Sequence, residues 1–132
     1  MKTNFLIVTA FSLATLLWGC KKDNLTIKDG TYKGIFTVTY SSGTETGQTT
    51  VELKNGKFSC LGNSNRIPAG GSGTFLTDNN KIIFNDENVW TADFDWNLIL
   101  NDTYDYAFDG EKLIISADKN NVGNYKYELE KQ

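Results

Sequence analysis

The chain has 132 residues, a formal charge of −3, one arginine, one proline and no histidine. Without histidine there is no serine–histidine triad, no imidazole acid–base chemistry and little prospect of a zinc site. Mild acidity with no basic run leaves no electrostatic footprint for nucleic acid, and the length suits one ordinary domain.

In chain order, residues 1–20 come first. Lys2 forms a minimal positive start, Phe5 to Trp18 an apolar stretch, and Gly19 the small residue that a signal peptidase needs before its cut. An apolar run of about 14 residues falls short of the ~20 that span a bilayer, so the segment reads as an address rather than a membrane anchor. Leu17-Trp18-Gly19-Cys20 resembles the lipobox of bacterial lipoproteins. That resemblance implies that residues 1–19 are removed as a signal peptide and that Cys20 becomes the acylated first residue. Residues 20–28 then form a short tether, and the protein belongs to a bacterial envelope, at the outer membrane. Lys21-Lys22-Asp23 resembles a signal for export to the outer face. The remaining 113 residues carry twelve basic and sixteen acidic side chains, a charge of −4. With Cys20 assigned to lipid, Cys60 has no disulfide partner and is expected in the core as a small apolar side chain.

From Gly30 onward apolar and polar residues alternate. Tyr32, Phe36, Val38 and Tyr40 share one parity and Thr31, Lys33, Thr37 and Thr39 the other, the period of a strand with one buried face. Nine strand-like runs follow, about 30–40, 48–54, 57–62, 72–77, 81–85, 93–100, 104–109, 112–117 and 124–130, and no stretch has a helical period. Asn55-Gly56 predicts a two-residue hairpin pairing Leu53 with Phe58 and Val51 with Cys60. Asn79-Asn80 sets Thr77 opposite Ile82 and Phe75 opposite Phe84. For Asp109-Gly110 the two-residue turn sets Tyr106 against Leu113 and Tyr104 against Ile115. Between the runs at 93–100 and 104–109, a loop of Asn101, Asp102 and Thr103 keeps the apolar faces matched, because a slip of one residue would turn every side chain over. It pairs Leu100 with Tyr104, Leu98 with Tyr106 and Trp96 with Phe108, puts one of its three residues in a strained or bulged conformation, and turns Asp95 outward beside Asp109.

Consecutive hairpins make a meander, and a meander of this length loses its exposed edges by closing. The predicted fold is all-β, an antiparallel up-and-down meander closing into an eight- to nine-stranded barrel, with an open β-sandwich as the alternative. The opening Gly30-Thr31-Tyr32-Lys33-Gly34, the alternation from Phe94 to Leu100 and the closing run Tyr125 to Leu129 resemble the lipocalin-like, calycin-type domains of bacterial lipoproteins, over residues 29–132. Tyr32 stands where lipocalins proper carry a tryptophan.

Candidate binding residues are the aromatic set Trp90, Phe94, Trp96, Tyr104, Tyr106 and Phe108. An eight-stranded barrel either fills with side chains or holds one small ligand, so the set is either core or the lining of a cavity or mouth for an apolar or amphipathic molecule. Residues 61–73 hold the only arginine, Arg66, and the only proline, Pro68. They read either as a lid whose Arg66 contacts an anion or as a wide solvated connection. Asp93 and Asp95, about 7 Å apart along a strand, fall within the range of paired-carboxylate glycosidases, but alternating acids on an exposed face are mostly solvated. No metal or cofactor is expected, since the Asp/Asn clusters suit turns better than a calcium loop. The expected role is non-enzymatic. It is either binding of a small apolar or amphipathic ligand in the barrel, or a protein-interaction module, an inhibitor or accessory subunit of an envelope complex.

Overall fold

The structure is a computed structural model that describes residues 24–132. The expected leader, Cys20 and the first part of the expected tether lie outside the described residues. Strands β1 (Gly30–Tyr40), β2 (Gly43–Lys54), β3 (Lys57–Cys60), β4 (Gly71–Asp78), β5 (Lys81–Asp86), β6 (Asp102–Phe108), β7 (Lys112–Lys119) and β8 (Gly123–Lys131) form a closed antiparallel barrel in sequence order. Strand β1 pairs along its whole length with β2 and from Tyr32 to Tyr40 with β8, which is the seam that closes the sheet. This is an up-and-down barrel of the kind that lipocalin-like domains use.

Two hairpins have the registers expected from their turns. Leu53 faces Phe58 and Val51 faces Cys60 across Asn55-Gly56, and Phe75 faces Phe84 and Thr77 faces Ile82 across Asn79-Asn80. The β6–β7 hairpin is two residues wider than expected, so Phe108 faces Leu113 and Tyr106 faces Ile115. The Asp109 carboxylate accepts from the amides of Glu111 (3.0 Å) and Lys112 (2.7 Å), which holds a longer turn open. A shift of two leaves the inward face unchanged.

The expected strand over 93–100 is absent. Asp95 caps a single 3-10 turn, Trp96–Leu98, by accepting from the Asn97 amide. The three residues Leu98, Ile99 and Leu100 are then all buried, at 5, 4 and 0% exposure. A strand cannot bury three successive side chains on one face, whereas a segment crossing the end of a barrel can. The pairings of Leu100, Leu98 and Trp96 with β6 therefore do not form. The strained residue expected in that turn exists: Asp102, with φ 78°, starts β6 in the left-handed region.

The interior is filled. Ring contacts run across it from Phe58 to Phe84 (4.9 Å between centroids), Tyr104, Tyr127, Phe36, Tyr125 and Tyr40. Phe58 and Phe84 meet edge to face from the strands that flank β4, and β4 passes close to β5 at Gly73, where a Cβ would lie 2.0 Å from the Asn85 carbonyl oxygen. Tyr32, Phe36, Val38, Tyr125 and Tyr127 have no measurable exposure, so no water-sized void adjoins them. Cys60 is buried beside Thr49, and burial pushes its thiol up to about 12. It is an inert core residue rather than a nucleophile.

Chain also covers both ends. At the end holding the β2–β3, β4–β5 and β6–β7 turns, the strap 24–29 lies across the opening. Leu25 N–H donates to Phe108 C=O (3.1 Å), Asn24 Nδ2 to Tyr106 C=O (2.8 Å), and the Tyr32 hydroxyl to Lys28 C=O. The other end is covered by residues 61–70 and 87–101, joined to each other by Ala69 N–H to Leu98 C=O (2.9 Å) and Leu100 N–H to Gly70 C=O (2.8 Å).

The Tyr127 hydroxyl is fully buried and has no hydrogen-bond partner among the described residues. An unsatisfied buried hydroxyl costs about 1–3 kcal/mol, and removing it recovers much of that. Tyr127→Phe is expected to raise unfolding stability by about 1 kcal/mol in urea denaturation. A loss of stability would mean that the hydroxyl is satisfied after all.

Candidate functional site

The aromatic set divides between two places. Tyr104, Tyr106 and Phe108 on β6 are core residues, at 1, 8 and 3% exposure, and belong to the filled interior. Trp90, Phe94 and Trp96 stand with Arg66 on the cap formed by 61–70 and 87–101. The two parts are separated because the run 93–100 folds over the barrel end instead of pairing with β6.

The cap is held by specific contacts. The Arg66 guanidinium lies over the Phe94 ring, 4.4 Å from its centroid, and pairs with Asp93 at 3.1 Å. Phe94 meets Trp90 edge to face at 5.9 Å. Trp90 Nε1 donates to Asp86 (2.6 Å), and Trp96 Nε1 donates to Thr91 C=O (2.9 Å). Arg66 thus joins two loops through Asp93 and Phe94 and remains about two-fifths exposed. The side chain of Asn63, which accepts from the amides of Asn65 and Ile67, shapes the loop so that Arg66 adopts a left-handed φ of 57°.

Asp93 and Asp95 do not form a carboxylate pair on one strand face. Asp93 is exposed, and its carboxyl is held below the usual range by hydrogen bonds from Thr91 and Arg66. Asp95, expected outward beside Asp109, is half-buried at the opposite end of the barrel. It accepts from the Tyr40 hydroxyl (2.8 Å), the Tyr125 hydroxyl (2.6 Å) and the Asn97 amide (2.9 Å). Burial pushes its carboxyl up, but the donors Tyr125, Asn97 and Tyr40 outweigh that and hold it below its ordinary 3.8. Burial and the adjacent carboxylate push Tyr40 up to about 12 and Tyr125 higher, so both remain donors at neutral pH. Tyr40 and Tyr125 belong to β1 and β8, the two strands of the seam, so Asp95 fastens the cap to the closure of the barrel.

Beside this latch lies a surface groove of about 470 Å³, with Trp90, Val89 and Trp96 on its apolar side and Asp86, Asp102 and Lys119 on its polar side. Trp96 is 56% exposed and Val89 is 99% exposed. Lys119 lies over the edge of the core, its ammonium 4.8 Å from the centre of the Tyr104 ring. Seven acids stand on this end (Glu45, Asp86, Glu87, Asp93, Asp95, Asp102 and Asp118) against the cations Arg66 and Lys119, a local charge of −5. Asp86, Lys119, Tyr40 and Tyr125 were not singled out by the sequence. The spacing of Asp86 and Trp90 was the one local hint, and the others come together only through closure of the barrel. Among the described residues there is no group of His, Cys, Asp and Glu that could hold a metal ion.

The chain matches no family model, no curated protein and no solved structure. Its fold and this cap are therefore read from its own geometry.

Asp95→Ala is expected to lower unfolding stability by about 2 kcal/mol at pH 7, since it removes charge-assisted bonds to two tyrosines. Because the folded carboxyl is depressed, this contribution is complete above the unfolded carboxylate pKa, near 4, and fades as pH falls through the lower folded value. Wild-type and variant urea midpoints should therefore converge below pH 4, and a constant gap would refute the latch.

Proposed function

We propose that the protein is a lipid-anchored envelope lipoprotein, acylated at Cys20 at the outer membrane, whose lipocalin-like barrel is a rigid scaffold for a protein-interaction surface on the aromatic cap. The observation that carries this reading is the filled interior. Tyr32, Phe36, Tyr125 and Tyr127 are wholly buried and the other inward rings nearly so, so a guest inside would have to displace core side chains from a packed arrangement. Surface chemistry is available instead at the cap, where a partly exposed tryptophan pair sits within an acidic rim. Tryptophan combines a large apolar area with a polar tip and is enriched among the residues that dominate protein interfaces. The placement is also apt for an anchored protein. The described chain starts at Asn24, beside Asn80 and Tyr106 at the strap end, so the cap faces away from the tether.

A second reading is favoured by the groove itself, whose volume of about 470 Å³ suits a small amphipathic molecule lodged at the mouth between Trp90 and Trp96. Residues 61–70 supply part of the interaction surface in the first reading.

The two readings separate in one experiment on the full chain in a bacterial envelope. A photoreactive side chain at position 96 is expected to give a discrete protein adduct, and the same group at position 126, on the barrel wall, none. A small-molecule site would instead show as saturable quenching of tryptophan fluorescence, lost in Trp96→Phe. Equal crosslinking at 96 and 126 together with a flat fluorescence titration would overturn both. Trp96→Ala, at an exposed site, is expected to change stability by less than about 0.5 kcal/mol. Cys20→Ser is expected to move the protein from the membrane to the soluble fraction.

A further inference from the structure

Strand β2 outruns its second neighbour at the cap end. The two-residue turn Ser41-Ser42 makes Tyr40 and Gly43 a hydrogen-bonded pair, and the register runs without a bulge from there to Gly30 opposite Leu53. Odd-numbered residues of β2 therefore bond to β1, while even-numbered ones direct N–H and C=O away from it. On that side β3 pairs only with Val51 to Lys54, and the last bond runs from Leu61 N–H to Thr50 C=O (2.9 Å). The chain then leaves the sheet at Gly62 and joins the cap, close against Ala69. The main-chain N–H and C=O groups of Thr44, Thr46 and Gln48 are left with no partner among the described residues. All three residues are exposed. The cap loop does approach β2 at Gly47, where the Ile67 C=O lies along the direction a Cβ would take. That contact is on the inward face, which Gly47 shares with Phe36 opposite, and leaves the edge clear.

This edge is about 14 Å long by strand rise. Folded proteins blunt such edges with lysine, proline or a bulge, and residues 43–48 contain none of these, with Glu45 as their one charge. Unpaired N–H and C=O groups alternating along an extended strand are complementary to another extended backbone, the chemistry of strand addition. An added strand would continue the row of β3, so its residue opposite Gln48 would share the outer face with Leu61, two places further along. A shallow groove of about 500 Å³ lies there, lined in part by Ile35, Gln48, Thr50 and Leu61. Leu61 is 61% and Ile35 39% exposed.

Charge decides between a second copy and another protein. In an antiparallel pair of two β2 edges the Ser41-Ser42 turns pass each other, which brings two cap ends of charge −5 together. A basic segment meets attraction at the same place. We propose that the open edge of β2 from Thr44 to Gln48 accepts an extended, basic segment of a partner protein as an added strand, with an apolar side chain against Leu61. This rests on the reading of the cap end as a protein-interaction surface and names the chemistry of the partner, without requiring contact at Trp96.

The test follows amide hydrogen exchange by NMR in the full chain, held in mild detergent micelles, with the peptide acetyl-Lys-Val-Lys-Val-Lys-Val-amide as probe. In the free chain the amides of Thr44, Thr46 and Gln48 are expected to exchange at least about tenfold faster than those of Glu45, Gly47 and Thr49, which bond to β1. The peptide should slow the first three. With its valines on the face of Leu61, its valine N–H groups point at β2 and its lysine N–H groups away. N-methylation of the valines should therefore weaken binding about tenfold or more, and N-methylation of the lysines should not. Replacing lysine by glutamate in the peptide should cost about tenfold at low salt. Thr46→Pro removes an edge donor that β1 does not use and should weaken binding about tenfold, whereas Thr46→Val should stay within about twofold. Leu61→Asp, at an exposed site, should weaken binding as well, and it carries the test with the N-methylated peptides if Thr46→Pro does not fold. Slow exchange at Thr46 and Gln48 in the dilute free chain would overturn the proposal. So would protection that grows with protein concentration alone, which would mark a second copy as the occupant, equal loss with both N-methylated peptides, or no protection by the peptide. Crosslinking at position 96 is read separately, so failure here leaves the cap reading standing.

Discussion

Closure of the sheet between β1 and β8 fixes the circumference, and the circumference fixes how much side-chain volume the interior can hold. β1 is paired on both edges, with β2 over eleven residue pairs and with β8 over nine. It passes close to β8 at Gly34, where a Cβ would lie 1.9 Å from the Glu128 carbonyl oxygen. A barrel of eight strands has room for one packed layer of side chains. Here that room is taken by phenylalanine and tyrosine rings, edge to face where Phe84 meets Phe58 and Tyr104 and tilted where Phe36 meets Tyr125 and Tyr127, and such pairs add about 0.5–1.5 kcal/mol each beyond burial. Once the interior is spent on packing, recognition has to take place at the rims or on the wall.

The same strand organises both rims. Tyr32, near the start of β1, donates to the Lys28 carbonyl and fixes the strap. Tyr40, at its end, donates to Asp95 and, with Tyr125 across the seam, fixes the cap. Each tyrosine keeps its ring in the core or against it while its hydroxyl reaches chain that has no strand to pair with. The irregular segments are thus tied to the most constrained part of the sheet. A rigid cap loses less entropy on binding than a free loop of the same length, which bears on how the surface around Trp96 can act above a packed interior.

The sheet was largely legible in the sequence, because alternation together with turn chemistry specifies register. Asn55-Gly56 and Asn79-Asn80 each have a turn of defined length, and their partners follow. Asp109-Gly110 misled by two residues, since a carboxylate that can accept two downstream amides supports a longer turn than the dipeptide suggests. The run from Phe94 to Leu100 misled more deeply. Its alternation holds as far as Leu98 and then breaks into three adjacent apolar residues, Leu98, Ile99 and Leu100. That break was the visible mark of a segment that plugs an opening rather than lies in a sheet. The candidate site divides along the same line. Tyr104, Tyr106 and Phe108 have the period-two spacing of core residues. Trp90, Phe94 and Trp96 share it in sequence, but Asp95 turns them onto the rim by bonding to tyrosines about 30 and 55 residues away in the chain. No local pattern could show a carboxylate whose partners are brought to it by closure of the sheet.

Charge has followed topology in a way that composition conceals. A chain of formal charge −3 looks almost featureless until its residues are sorted by the end of the barrel they occupy. In a meander all odd-to-even turns fall at one end and all even-to-odd turns at the other, so a preference for lysine at alternate turns leaves one end near charge balance, with Asp105 opposite Lys81 and Glu130 opposite Lys112, and the other strongly acidic. The β2–β3, β4–β5 and β6–β7 turns carry Lys54, Lys57, Lys81 and Lys112, whereas the connections after β1, β3, β5 and β7 carry Arg66 and Lys119 among many acids. The resulting dipole runs along the barrel axis. Near a negatively charged surface it orients the molecule before any contact is made, within the screening length of about 8 Å at physiological salt. The strap crosses the end where lysines and acids nearly balance and the partly exposed tryptophans lie at the strongly acidic one, so the two ends of the barrel present different fields to anything that approaches along its axis.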